Sequence, residues 1–188
     1  DDVRRAARWL QEQNGPRLVF WGLRLGAVLA MEATREFAAD LDRIVLWQPV
    51  VKGEQFMTQF LRLRLAADLM GQGEKVTTQD LRAAAYGGQR LEVAGYTLDP
   101  ALVRALDGIE LKGLAVPEKA RVEWMEVAAS AERALPPASR SVVDAWQAAH
   151  VRVKVTTVAG DAFWSTPEIT VVPELIEATA ARLVGVAA

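Results

Sequence analysis

The residues with the sharpest chemical implication are Gly22-Leu23-Arg24-Leu25-Gly26. They follow a short apolar run, Arg17-Leu18-Val19-Phe20-Trp21, and precede a segment rich in Ala, Leu, Met and Glu, Ala27 to Phe37. Strand, glycine-bounded turn, helix is the setting of the G-x-S-x-G frame, which presents a nucleophilic serine on a strained bend. Here the central position is Arg24. A guanidinium stays protonated and has no free lone pair to attack with, so the frame stands without its nucleophile. What an arginine does offer is a pair of parallel donors for a carboxylate or phosphate. Backbone N–H groups at the start of the following helix favour an anion in the same place. The expectation is a small anionic or acyl ligand clamped by Arg24, with the Leu25 amide assisting. Gln48 and the loop from Asp161 through Phe163 to Trp164 would form the wall. The competing expectation is an internal salt bridge from Arg24 to Glu126, Asp161 or Glu168.

The elements that must position these residues follow from periodicity and punctuation. A first helix, Val3 to Gln13, is ended by Asn14-Gly15-Pro16. The runs Leu18 to Trp21 and Ile44 to Trp47 are continuously apolar, as strands buried on both faces are. From Gln55 to Met70, Met57, Leu61, Leu65 and Leu69 recur every fourth residue beside Phe56 and Phe60, which predicts an amphipathic helix. Thr77 with Asp80 caps a helix to Tyr86, and Gly87-Gly88 closes it. Leu91 to Leu98 reads as an extended excursion. Asp99-Pro100 opens a helix through Leu106. Arg121 to Val127 and Val151 to Val158 are the remaining strands, separated by a helix that Ser139 caps and Ala149 ends. A loop, Ala159 to Pro167, leads to a last helix, Pro173 to Val184. Strands alternating with helices predict an α/β fold with a parallel sheet of about four strands. Residues 1–52 and 120–188 would form its core, and residues 53–119 a mainly helical insertion placed where a cap over a site would sit.

Several stretches resemble a known family. Trp21 to Ala27, Leu46-Trp47-Gln48-Pro49-Val50, Gly53-Glu54-Gln55-Phe56, Gln59 to Arg64, Val93-Ala94-Gly95-Tyr96 and Phe163 to Ile169 look like the second of two hydrolase families linked to the exosortase A system. The likeness runs from about Trp9 to Ala181. It implies the C-terminal half of an α/β-hydrolase fold and a setting in exopolysaccharide export and protein sorting. A complete member would be longer at its N-terminus, so a partial or processed chain is expected. The opening Asp1-Asp2-Val3-Arg4-Arg5, without an initiator methionine, agrees with that expectation.

The name hydrolase does not bring a triad with it. A catalytic histidine would follow the last strand, yet Ala159 to Thr166 contains none, and the only histidine, His150, precedes that strand. Glu126 is the nearest acid, with Glu132 next, and a carboxylate without its histidine completes no relay. Ser165 and Thr166 are the hydroxyls an alternative ester or thioester hydrolase would use. Local capping before Pro167 is the favoured reading of both.

Composition closes other routes. A net charge of −2 and a pI near 5.6 give no basic field for nucleic acid. With no cysteine and one histidine, thiolate chemistry, disulfides and histidine-rich metal sites are excluded, and neither metal nor cofactor is expected. No apolar run reaches the length of a membrane span, and a cytoplasmic location is expected. A third reading makes the chain a non-catalytic interaction module through the apolar stripe of Gln55 to Met70, with Arg62 and Arg64 beside it. Packing of that stripe inside its own domain is the plainer account. If strands are missing before it, Leu18 to Trp21 becomes an apolar sheet edge, and self-association is expected.

Overall fold

A computed structural model describes residues 2–68, 76–166 and 168–184 of the chain. The chain divides into two compact units, Asp1–Val50 with Lys112–Ala188, and Val51–Leu111.

The first unit is built on a four-stranded, fully parallel sheet of order β1-β2-β5-β6, with β1 Leu18–Leu23, β2 Leu41–Trp47, β5 Arg121–Ala128 and β6 Arg152–Ala159. Helices α1 (Asp2–Asn14), α2 (Leu25–Ala33), α6 (Pro137–Ala148) and α7 (Pro173–Leu183) accompany it. Parallel strands need crossover helices, and these cover both faces of the sheet, which is why the strand sequences are apolar almost throughout. Ile44, Val45 and Leu46 are fully buried as consecutive residues, something an open-faced sheet would not allow. On one face α7 sets Leu175 against Val45, Met125, Val127 and Val158. On the other, Trp146 of α6 meets Trp124 edge-on at 6.1 Å.

Two element boundaries differ from expectation for identifiable reasons. Helix α2 stops at Ala33 rather than Phe37, because the Thr34 hydroxyl and amide both donate to the Met31 carbonyl, at 2.7 and 3.1 Å, and tighten the last turn. Helix α6 begins at Pro137, one turn-residue after an extended Pro136, so Ser139 is not its cap but a buried first-turn residue. Proline at the first helical position loses no hydrogen bond and has its φ already set.

The second unit holds α3 Gly53–Asp68, α4 Thr78–Tyr86, a hairpin of β3 Leu91–Val93 and β4 Tyr96–Leu98, and α5 Pro100–Asp107. Met57 and Leu61 of the predicted stripe are fully buried and Leu65 partly so. The expected end of that helix, Leu69-Met70, lies outside the described residues, as does Pro167. Thr77 and Asp80 form a reciprocal capping box, and Asp99 caps α5 by accepting from the Ala101 amide at 2.9 Å. The excursion Leu91 to Leu98 is a tight antiparallel hairpin whose two turn residues, Ala94 and Gly95, have φ of 50° and 81°. That turn suits right-twisted strands, and Ala94 occupies a place where Asn or Gly is the usual occupant.

Among the described residues no helix is long and apolar enough to cross a membrane, and no group of three or more His, Cys, Asp or Glu could hold a metal ion.

Candidate functional site

The bend between β1 and α2 brings backbone, charge and aromatic rings together. Arg24 sits at φ 54°, ψ −117°, a conformation that costs a side-chain-bearing residue of order 1–3 kcal/mol. Neighbouring hydrogen bonds hold it there. The Arg24 amide donates to the Trp47 carbonyl at 2.9 Å, and the Arg24 carbonyl accepts from Ala27 at 3.2 Å and Val50 at 3.3 Å. The two framing glycines are not equivalent. A Cβ on Gly22 would lie 2.3–2.4 Å from Gly26 O, Gly26 C and Ala27 N, all backbone, whereas a Cβ on Gly26 meets nothing within 4 Å. The first glycine is required by the close approach of strand and helix; the second is not required by space.

The Arg24 guanidinium is half-buried. Its Nη1 donates to the Gln48 carbonyl at 3.3 Å, and its Cζ stands 5.4 Å from the Trp164 ring centroid, a cation–π contact. Burial pulls its pKa below the usual arginine value, and the nearby charge of Glu126 pushes it back. It remains a cation at neutral pH. No carboxylate among the described residues forms an ion pair with it: neither Glu126, nor Asp161, nor Glu168 comes within 4.0 Å. At the head of α2 the Leu25 N–H is one of the first-turn donors with no acceptor inside the helix.

Glu126 connects to Arg24 through Gln48. Gln48 also has a positive φ, 42°, at the end of β2, and its side chain is fixed at both ends. Its Oε1 accepts from the Val127 amide at 2.8 Å, and its Nε2 donates to Glu126 Oε1 at 3.0 Å. Glu126 Oε2 accepts from Trp124 Nε1 at 2.8 Å. Glu126 is 4% exposed, and burial pushes its pKa above the usual carboxylate range. The two donors and the Arg24 charge pull it down without cancelling that effect. Gln48 is thus the hub that ties the ends of β1, β2 and β5 to one another. Sequence reading placed it only as wall, because nothing in Trp47-Gln48-Pro49 announces a left-handed residue.

The loop after β6 supplies aromatic packing. Phe163 lies edge-on to Trp47 at 6.1 Å and to Trp164 at 5.1 Å, and Trp47 meets Trp21 at 4.7 Å. Asp161 is exposed, and its part in the loop is a carbonyl that accepts from Phe163 N at 2.8 Å. Ser165 Oγ donates to the Ala162 carbonyl at 2.9 Å, and Thr166 Oγ1 to the carbonyls of Phe163 and Glu168 at 3.1 and 2.9 Å. Both hydroxyls are spent on the loop's own backbone. His150 is exposed at φ 62° just before β6, at the N-terminal end of the strands, whereas Arg24 follows the C-terminal end of β1.

No protein-family model and no curated protein matches the chain. Solved structures do. Ferulic-acid-bound Est1E from Butyrivibrio proteoclasticus superposes with a TM-score of 0.55 at 14% identity, over 88% of this chain and 59% of that one. Thermogutta terrifontis esterase 2, phosphoramylated by tabun, gives 0.50 at 14% identity, over 98% and 63%. The chain therefore spans about three-fifths of the length of the structures it matches. Likeness at such identity is a likeness of fold. With four parallel strands in this order and a strained strand-to-helix bend at Arg24, this chain has an α/β-hydrolase fold.

Proposed function

We propose that this is a hydrolase fold whose reactive position has become a binding position: Arg24, with the Leu25 amide, holds the carboxylate of a small anionic or acyl ligand. The observation that carries this is the state of the guanidinium. It is half-buried and desolvated, yet its polar contacts are one carbonyl at 3.3 Å and one ring face, with no carboxylate in ion-pair range among the described residues. A buried cation without a counter-charge is costly, and a ligand carboxylate offering two oxygens to the guanidinium fork is its natural complement. Gln48 holds the Glu126 carboxyl away from the arginine, which keeps the cation available. The Trp47, Phe163 and Trp164 rings provide apolar surface for the rest of an acyl chain or sugar ring. The resemblance to exosortase-linked proteins suggests a sugar acid of an exopolysaccharide as the first class to try.

The test is calorimetric titration with sugar acids, short fatty acids and phosphorylated sugars, on wild type and Arg24→Ala. A charge-assisted pair is worth about 1.5–3 kcal/mol, so the substitution should weaken the best ligand roughly 10- to 150-fold. Equal affinities across all ligands would remove the pocket.

Self-association belongs to the same reading. β1 pairs only with β2 among the described residues, and Trp21 on it is 53% exposed. Apolar sheet edges recruit further strands. A single monomeric mass in light scattering at increasing concentration would exclude this.

A further inference from the structure

A second concentration of positive charge lies at the opposite ends of the same strands. Arg43 of β2, Arg121 of β5 and Arg152 of β6 stand in one register row, side by side across the sheet. Adjacent strands are about 4.8 Å apart, and like charges directly opposite one another are unfavourable. One row further on the same face, Glu123 stands in register with Lys154. Parallel register puts both rows on the face that α7 covers, and Arg182 near the end of α7 reaches down to them. These residues line a cavity of about 410 Å³ with five cations around one carboxylate.

Internal pairing leaves this cluster unbalanced. Glu123 faces Arg43 Nη1 at 3.8 Å and Arg182 Nε at 3.4 Å, both longer than an ordinary hydrogen bond. Arg43 has Asp42 at 3.8 Å as its other acid. Arg43 is 9% exposed, and its Nε, the Arg182 Nε and Glu123 Oε2 are buried with no hydrogen-bond partner. Arg182 spends Nη2 on Thr156 Oγ1 at 3.2 Å, and Arg152 donates to the Lys119 carbonyl. Arg121 and Lys154 stand exposed at the rim, with no ion pair among the described residues. A cluster whose only role was structural would match each arginine to an acid; here the acids are too few and too distant.

We infer that the N-terminal ends of β2, β5 and β6 form a second binding site, for a diphosphate-type polyanion. Arg43 and Arg182 form its floor and Arg121, Arg152 and Lys154 its rim. Four guanidinium forks and an ammonium exceed what one carboxylate ligand can satisfy. Two linked phosphoryl groups, with several acceptor oxygens and multiple negative charge, match both the charge and the spread of the row. The site is independent of Arg24 and stands or falls separately from the reading given for the bend.

The experiment is calorimetric titration with sodium diphosphate, and with monophosphate for comparison, at two chloride concentrations. Saturable binding is expected that is tighter for diphosphate and weaker at higher salt. Arg121→Ser/Lys154→Ser removes two exposed rim charges and should weaken it roughly tenfold or more, by the same factor in the Arg24→Ala background, where the bend no longer offers a guanidinium. Lys154→Glu alone, at an exposed position, should weaken it in the same direction. The inference is overturned if diphosphate gives no saturable heat, if the rim variants bind as wild type does, or if Arg24→Ala abolishes binding.

Discussion

The two glycines of the bend invite a paired substitution in which the same added methyl group has opposite effects. In Gly22→Ala the new carbon would stand 2.3–2.4 Å from three backbone atoms of Gly26 and Ala27, where ordinary contact begins at 3.4 Å. About 1 Å of separation is missing, and no flexible side chain can yield to supply it. The first turn of α2 would have to move away from β1, yet the Arg24 amide bonded to Trp47 O and the Val50 amide bonded to Arg24 O hold that turn in place. Overpacking against backbone of this kind costs about 3 kcal/mol or more. In Gly26→Ala the carbon enters open space on a helical residue, where reduced freedom of the unfolded chain stabilises by about 0.4–1 kcal/mol. Urea denaturation followed by tryptophan emission separates the two. All six tryptophans lie outside Val51–Leu111, so the signal reports the first unit alone. With a urea slope of roughly 2 kcal/mol/M, the midpoint should fall by about 1.5 M for Gly22→Ala and rise by about 0.2–0.5 M for Gly26→Ala. A Gly22→Ala midpoint within experimental error of wild type would refute the close-approach argument, as would equal losses in both variants.

Two further outcomes follow from the site. Arg24→Ser places a hydroxyl on the strained bend but no base to activate it, since the only histidine lies at the other end of the strands. Hydrolysis of p-nitrophenyl acetate should therefore stay at the buffer rate, and turnover that tracks the substitution would show that an unrecognised base exists. Glu126 gives a pH signature: burial raises its pKa above the ordinary 4.5, so the fold prefers the protonated form. Its contribution is full below about 4.5 and is lost as pH rises through the folded value. The stability of wild type minus that of Glu126→Gln should decline as pH climbs from 4 toward neutrality, and an upward slope would contradict the assigned cause.

The strands and helices were legible because each is short, apolar at the right period and bounded by Gly, Pro or a capping residue. The bend at Arg24 was legible for a further reason: a glycine pair in a strand-to-helix setting states its own geometry. What escaped is what depends on register or backbone hand. Gln48 acts as a hub through a left-handed φ and two side-chain bonds to β5, residues 78 and 79 positions away. Ala94 takes a turn conformation its side chain does not favour, because the hairpin fixes it. Arg43, Arg121 and Arg152 are scattered in the chain and become neighbours only when three strands align. The salt bridge weighed for Arg24 was reasonable on composition, but Gln48 and Trp124 occupy the carboxyl of Glu126 first.

Strand β5 carries Arg121 and Glu123 near its start on one face, and Trp124 and Glu126 further along on the other. At about 3.3 Å per residue, the step from Arg121 to Val127 covers roughly 20 Å, some two screening lengths at 0.1 M ionic strength. Salt therefore weakens the coupling between the two charged centres it links, and occupancy of one shifts the other's affinity little. Near 0.01 M the screening length grows to about 30 Å. Each set of cations should then add to the positive potential at the other, and an anion settling at either end would hinder the entry of a second at the far one.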